Sequence, residues 1–153
     1  MSDENLKTAK ALFAAPIDLA AVFAMPETLD AARAHFEPLF HADFETVHDP
    51  RAVEMRIGGS TDEGVAEGID GFLALWRDYL SAWDSWIVTP VGFVDADDQR
   101  VLVLLTYEGR SKTHGAEMAL DGGNVLTLRD GKVARVELFF NRLDALEAAG
   151  LSE

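Results

Sequence analysis

Residues 127–151 read TLRDGKVARVELFFNRLDALEAAGL, and within them the pattern passes from strand to helix. Apolar and polar residues alternate on both sides of Arg129-Asp130-Gly131-Lys132, where Asp-Gly supplies the positive φ that a tight hairpin turn requires. Asn141 then stands as a side-chain N-cap with Asp144 at the third helical position, ALEAA supplies helix formers, and Gly150 provides a C-terminal stop. Two antiparallel strands and a short closing helix are expected.

Outward from this block, the period of two extends upstream. Strands are expected at 86–95, 99–109, 113–129 and 132–141, with a turn at Asp95-Ala96-Asp97-Asp98. Asp121-Gly122-Gly123 falls inside the third, where consecutive glycines suggest a bulge that bends the sheet. Before the strands, Phe72, Leu75, Trp76, Tyr79, Leu80 and Trp83 recur at helical spacing, which predicts a strong helix over about 69–83. Residues 51–67 read as a loop with a short strand at 53–57. The first third reads as three short helices: one carrying Leu6, Ala9, Leu12 and Phe13, one from Ile17 to Ala24, and one opened by Pro26 that carries Leu29, Ala32 and Phe36 and ends near Pro38. Helices first and an antiparallel meander afterwards define an α+β class rather than alternating βαβ units.

The bulk numbers exclude several functions. At 153 residues the chain is long enough for one domain with a full core, and it contains no cysteine, so thiolate chemistry and disulfides drop out. Thirteen basic residues against 27 acidic ones give a formal charge of −14, which repels phosphate backbones and anionic lipid; neither nucleic acid nor membrane is an expected partner. The polar start MSDENLKTAK lacks signal-peptide features, and a cytoplasmic protein is the default expectation. Both faces of Val101-Leu102-Val103-Leu104-Leu105 are apolar, so something must cover a second sheet face; a homodimer is the economical answer and further helix packing from the first third the alternative.

Taken together, the helices, the Asp49-Pro50 pair at the end of a short strand (TVHDP, 46–50), the central helix FLALWRDYLSAW (72–83) and the closing meander resemble the SnoaL-like branch of the nuclear-transport-factor-2-like superfamily. The likeness covers roughly residues 35–151 and is most specific from Leu126 to Leu151; residues 1–30 then form a helical N-terminal extension of a single domain spanning 1–153. The resemblance implies a cone-shaped, curved antiparallel sheet packed against N-terminal helices and one long central helix, wrapped around a pocket and dimeric through its outer face. Ketosteroid isomerases, polyketide cyclases, dehydratases and purely binding members share this fold, so geometry is narrowed more than chemistry.

In ketosteroid isomerase the Asp of such an Asp-Pro pair is the general base, which makes Asp49 the candidate catalytic carboxylate: at the rim of an apolar pocket, partial desolvation raises its pKa towards that of a working base. Its alternative role is to shape the strand exit before Pro50. Asn124 falls near the position of the relatives' carboxylic acid donor, where an amide could donate to a developing oxyanion, or could simply satisfy a bulge. The Tyr donor of the isomerase has no counterpart, since Phe23 to Met25 are apolar. Trp76 and Tyr79 are core residues that could also roof the pocket for a ring-shaped ligand. Glu137, Phe139 and Asn141 share strand parity with Val133 and line the cone if that face looks inward, Asn141 serving mainly as the cap. His35, His41, His48 and His114 show no ligand spacing, so neither a metal nor any other cofactor is expected. The expected function is a pocket for a small apolar, cyclic or polyketide-like molecule with cofactor-free proton transfer as isomerase, cyclase or dehydratase; the alternative is a non-catalytic binding or dimerisation module.

Overall fold

The computed structural model describes residues 2–13, 16–48, 65–113 and 115–151. Asp49, Pro50, the strand expected at 53–57 and His114 lie outside the described residues. In chain order the elements are α1 (Ser2–Leu12), β1 (Ile17–Asp18), α2 (Leu19–Ala24), α3 (Pro26–Phe36), a 3-10 turn (Glu37–Leu39), β2 (Phe40–His48), β3 (Val65–Glu67), α4 (Gly68–Leu80), β4 (Trp83–Asp95), β5 (Arg100–Ser111), β6 (Glu117–Arg129), β7 (Lys132–Phe139) and α5 (Arg142–Ala148).

Four long strands, β4 to β7, form the antiparallel meander, and the seven-stranded sheet runs β1-β4-β5-β6-β7-β2-β3. Asp130 and Gly131 both take positive φ, 57° and 75°, as the Asp-Gly hairpin turn requires. One expectation is corrected: the sheet is mixed, because β2 joins β7 in parallel. Returning from the helices, the chain adds β2 alongside the meander's last strand, and β3 then pairs antiparallel with the other edge of β2. The result is a curled half-barrel with helices over its concave side, an α+β architecture.

Alternation places Val101, Val103, Leu105 and Tyr107 of β5 on the concave face, each at most 2% exposed. Leu126 of β6 and Val133, Val136 and Leu138 of β7 join them, and Trp76 and Leu80 of α4 pack over the same core. On the opposite face, Leu102 and Val125 are covered by Ala145 and Ala149 at the end of the chain. The second apolar face of β5 is thus partly covered within one chain, by α5 rather than by the N-terminal third. Asn141 caps α5 through Oδ1, which accepts from the Asp144 backbone N–H at 3.1 Å.

The glycines of β6 do not form the expected bulge. Leu104, Leu105 and Thr106 pair without interruption with Gly123, Gly122 and Asp121. They permit close approach instead: a Cβ on Gly122 would collide with the Phe139 carbonyl oxygen and stand 2.7 Å from the Tyr107 ring, and one on Gly123 would stand 2.9 Å from the Val103 oxygen. Gly109 of β5 does the same for Trp86, whose ring would lie 2.5 Å from an added Cβ. The register breaks lie elsewhere. Between Leu128↔Val133 and Thr127↔Arg135, Ala134 is an extra residue on β7; between Pro90↔Leu105 and Gly92↔Leu104, Val91 is an extra residue on β4.

The helical boundaries differ from the periodicity in two places. Ile17 and Asp18 pair with β4, and Asp18 caps α2 by accepting from the Ala20 N–H at 3.1 Å while also accepting from the Trp86 N–H at 3.0 Å. The central helix ends at Leu80, so Trp83 belongs to β4, and Val65–Glu67, within the expected loop, pairs with β2. Helix α1 is fastened to two hairpins: Asn5 Nδ2 donates to the Asp98 oxygen at 2.9 Å and Thr8 Oγ1 to the Gly131 oxygen at 2.8 Å.

Candidate functional site

The concave face does not meet its helices everywhere. Between them lies a cavity of about 90 Å³. Its floor is Val88, Leu105, Tyr107, Asn124, Leu126, Val136 and Leu138; Leu12, Phe13 and α2 close one side, Leu29, Ala32, Arg33 and Phe36 of α3 lie over another, and Ile69, Phe72, Leu73 and Trp76 of α4 complete the wall. The lining is almost wholly apolar, and its volume is below the roughly 300 Å³ at which pockets for drug-sized ligands begin.

Two polar features interrupt it. Asn124 is 6% exposed, and its Oδ1 accepts from the Tyr107 hydroxyl at 3.3 Å. With Oδ1 engaged by Tyr107, the amide nitrogen is the donor this lining residue has left, and among the described residues nothing accepts from it. Tyr107 is held in place by its neighbours: it stacks on Trp86 at 5.6 Å and meets Phe140 edge-on at 5.2 Å. Burial pushes its phenol pKa well above the ordinary value, with a smaller contribution from Tyr79, so the hydroxyl stays a donor. At the rim, Arg33 is the charged group among the described lining residues, and its Nη2 meets Asp70 Oδ1 of α4 at 2.8 Å.

The expected site residues fall into separate places. Asn124 and Trp76 line the cavity; Asp49 lies outside the described residues. Tyr79 packs instead in the aromatic cluster beside it, edge-on to Trp76 at 5.7 Å and to Trp86 at 5.0 Å. Glu137, Phe139 and Asn141 do not line the cavity, because the extra Ala134 inverts the parity of β7 and turns Val136 and Leu138 inward. Phe139 packs beside Leu102 and Val125 on the other face, Glu137 approaches Arg135 at 3.9 Å, and Asn141 is an exposed helix cap. His35 and His41 reach the Ala11 and Arg129 carbonyl oxygens at 3.3 Å and 2.6 Å. The sequence reading missed Tyr107 and Arg33. Tyr107 had a signal: it continues the period-two row Val101, Val103, Leu105.

A family model described as SnoaL-like domain matches residues 39–136. The chain belongs to the SnoaL-like domain family. Among solved structures, this SnoaL-like chain is similar to TerC co-crystallised with polyporic acid (TM-score 0.66, 22% identity, 96% of this chain and 98% of that one). It is also similar to a candidate SnoaL-like polyketide cyclase from Jannaschia sp. CCS1 (TM-score 0.65, 17% identity, 99% and 94%). A third likeness is to a Mycobacterium tuberculosis protein in complex with estradiol-17beta-hemisuccinate (TM-score 0.57, 16% identity, 93% and 96%). At these identities the likeness establishes the fold. No curated protein matches the sequence.

The buried phenol gives a stability test. Tyr107→Phe removes the donor and leaves Asn124 Oδ1 unpaired, so urea unfolding should show a loss of about 1–2 kcal/mol. Because the folded pKa is raised, the unfolded chain loses its proton first, and Tyr107's contribution is complete below about pH 10 and declines as pH rises above it. Absorbance titration of the native protein should register fewer than its two tyrosines; ionisation of both near the ordinary value would contradict the burial.

Proposed function

We propose that this SnoaL-like chain binds a small apolar molecule carrying a carbonyl oxygen, received by the Asn124 amide, and that Asp49 moves a proton next to that carbonyl without a cofactor. The observation that supports it most is the single amide donor in an otherwise apolar floor, oriented by Tyr107. A neutral ketone gains little from such a donor in its ground state and more as the oxygen becomes an enolate, which is the differential that lowers a barrier. TerC with polyporic acid and the Mycobacterium protein with estradiol-17beta-hemisuccinate are in line with a small organic molecule as the ligand. Asp49 enters through the family pattern of an Asp-Pro pair following β2.

A second reading, a non-catalytic binding module, is favoured by the cavity's small volume and by Trp76 in its wall. Solvent deuterium exchange next to the carbonyl of small cyclic ketones, followed by NMR, separates the two. The enzyme reading predicts exchange that Asp49→Asn abolishes while ketone binding persists, and exchange slowed roughly a hundredfold in Asn124→Ala with binding little changed. Unchanged exchange in Asp49→Asn removes that carboxylate from the mechanism, and binding without exchange leaves the second reading.

The same reading includes a homodimer through the outer sheet face, where Leu104 and Phe139 are only half-buried beside the surface that α5 covers. Sedimentation equilibrium should give twice the chain mass, and Leu104→Arg should return it to the monomer; a monomer in the unaltered protein overturns the proposal.

A further inference from the structure

Helix α3 is unlike the other walls of the cavity. Leu29, Ala32, Arg33 and Phe36 face the space, yet no residue of the helix is buried, whereas α1, α2 and α4 each seat at least one side chain in the core. It therefore contributes little hydrophobic anchoring of its own. The helical path breaks at its start and changes pitch at its end. Met25 is extended, at φ −127° and ψ 132°, and provides no side-chain cap before Pro26; at the other end the chain tightens into the 3-10 turn that contains Pro38.

Among the described residues, few polar ties hold the helix down. Thr28 Oγ1 donates to the Val22 and Met25 oxygens at 2.6 Å and 2.9 Å, bonds local to the first break that leave the rest of the helix free to swing. His35 approaches the Ala11 oxygen at 3.3 Å. Across the rim, Arg33 Nη2 meets Asp70 Oδ1 in the first turn of α4 at 2.8 Å, with side chains 38% and 84% exposed. Such an exposed pair is weak and screened by salt, the property a reversible fastening needs.

We propose that α3 is a lid hinged at Met25 and at the Glu37–Leu39 turn, and that the Arg33–Asp70 ion pair is its latch. The cavity of about 90 Å³ is too small for a multi-ring molecule with α3 in place; outward motion of α3 enlarges it and opens its route to solvent. The use of the lid rests on the cavity being a ligand site, as proposed above, but its existence is tested without any ligand.

Native-state hydrogen exchange of backbone amides reads the opening directly. Asp70 does not line the cavity. In Asp70→Asn at low salt, amides 29–36 should exchange roughly twofold to fivefold faster, the factor expected for loss of an exposed ion pair. Amides 101–107 should be unchanged, and Asp70→Glu should restore most of the protection. In the unaltered protein, roughly 1 M sodium chloride, where the screening length is about 3 Å, should produce the same acceleration, while Asp70→Asn should no longer respond. Equal exchange in the two proteins at low salt overturns the latch. Exchange of 29–36 at the rate of 101–107 overturns the lid, since α3 would then open only with the whole fold. Acceleration of amides 71–74 as large as that of 29–36 also overturns the latch, because it would trace to loss of the acid from the first turn of α4.

Discussion

Where β5, β6 and β7 converge, backbone takes the place of side chains. Gly109 leaves room for the Trp86 ring, and Gly122 lets the end of β7 and the Tyr107 ring come closer than any Cβ would allow. The vacated volume is filled by an aromatic cluster of Tyr79, Trp83, Trp86, Tyr107 and Phe140, with ring centroids 4.8–6.1 Å apart among its contacts. Large against small is how a sheet can coil tightly without a void. It fixes the Tyr107 ring, the Tyr107 hydroxyl fixes the Asn124 amide, and that amide is the polar point on the apolar floor. The placement of that amide depends on this sequence of contacts.

The cavity is a consequence of the same curvature. A curled sheet has a concave face larger than the rigid helices can fill, and α1, α2 and α4 use their buried residues at its margins. Helix α3 spans the remainder with half-buried side chains. Stability and access are thereby divided between elements: the meander and α4 carry the core, whereas α3 gives up burial that would stabilise it and gains freedom to move.

Much of this was legible in the residues, and the misses have physical causes. The stripe Phe72, Leu75, Trp76, Tyr79 and Leu80 gave α4, and Asp130-Gly131 with Asn141 gave the closing hairpin and helix, because turn and cap chemistry is local. The parity that joins Glu137, Phe139 and Asn141 to Val133 does not hold along β7. A single extra residue, Ala134, exchanges the two faces of a strand, and nothing in an alanine announces a bulge. Gly122 and Gly123 suggest a bulge in sequence because a glycine shows that freedom is needed but not whether φ or close approach needs it. The parallel pairing of β2 and the cover of Leu102 by α5 are long-range facts with no local signature. Of the site candidates that the residues suggest, Asn124 and Trp76 line the cavity. Tyr107 was recoverable from the alternation of β5, while Arg33 at the rim was not, since a lone arginine on an exposed helix carries no pattern.

The central claim is that the Asn124 amide nitrogen faces a cavity able to receive a carbonyl oxygen. Titration of isotopically labelled protein with cyclohexanone, following the side-chain amide resonances of Asn124, tests it most directly. The account predicts a saturable shift of the Asn124 Nδ2 protons, accompanied by shifts at Leu105 and Leu138 and absent at the convex-face Leu102. Saturable binding that leaves the Asn124 amide unmoved, or shifts confined to the outer face, would contradict it.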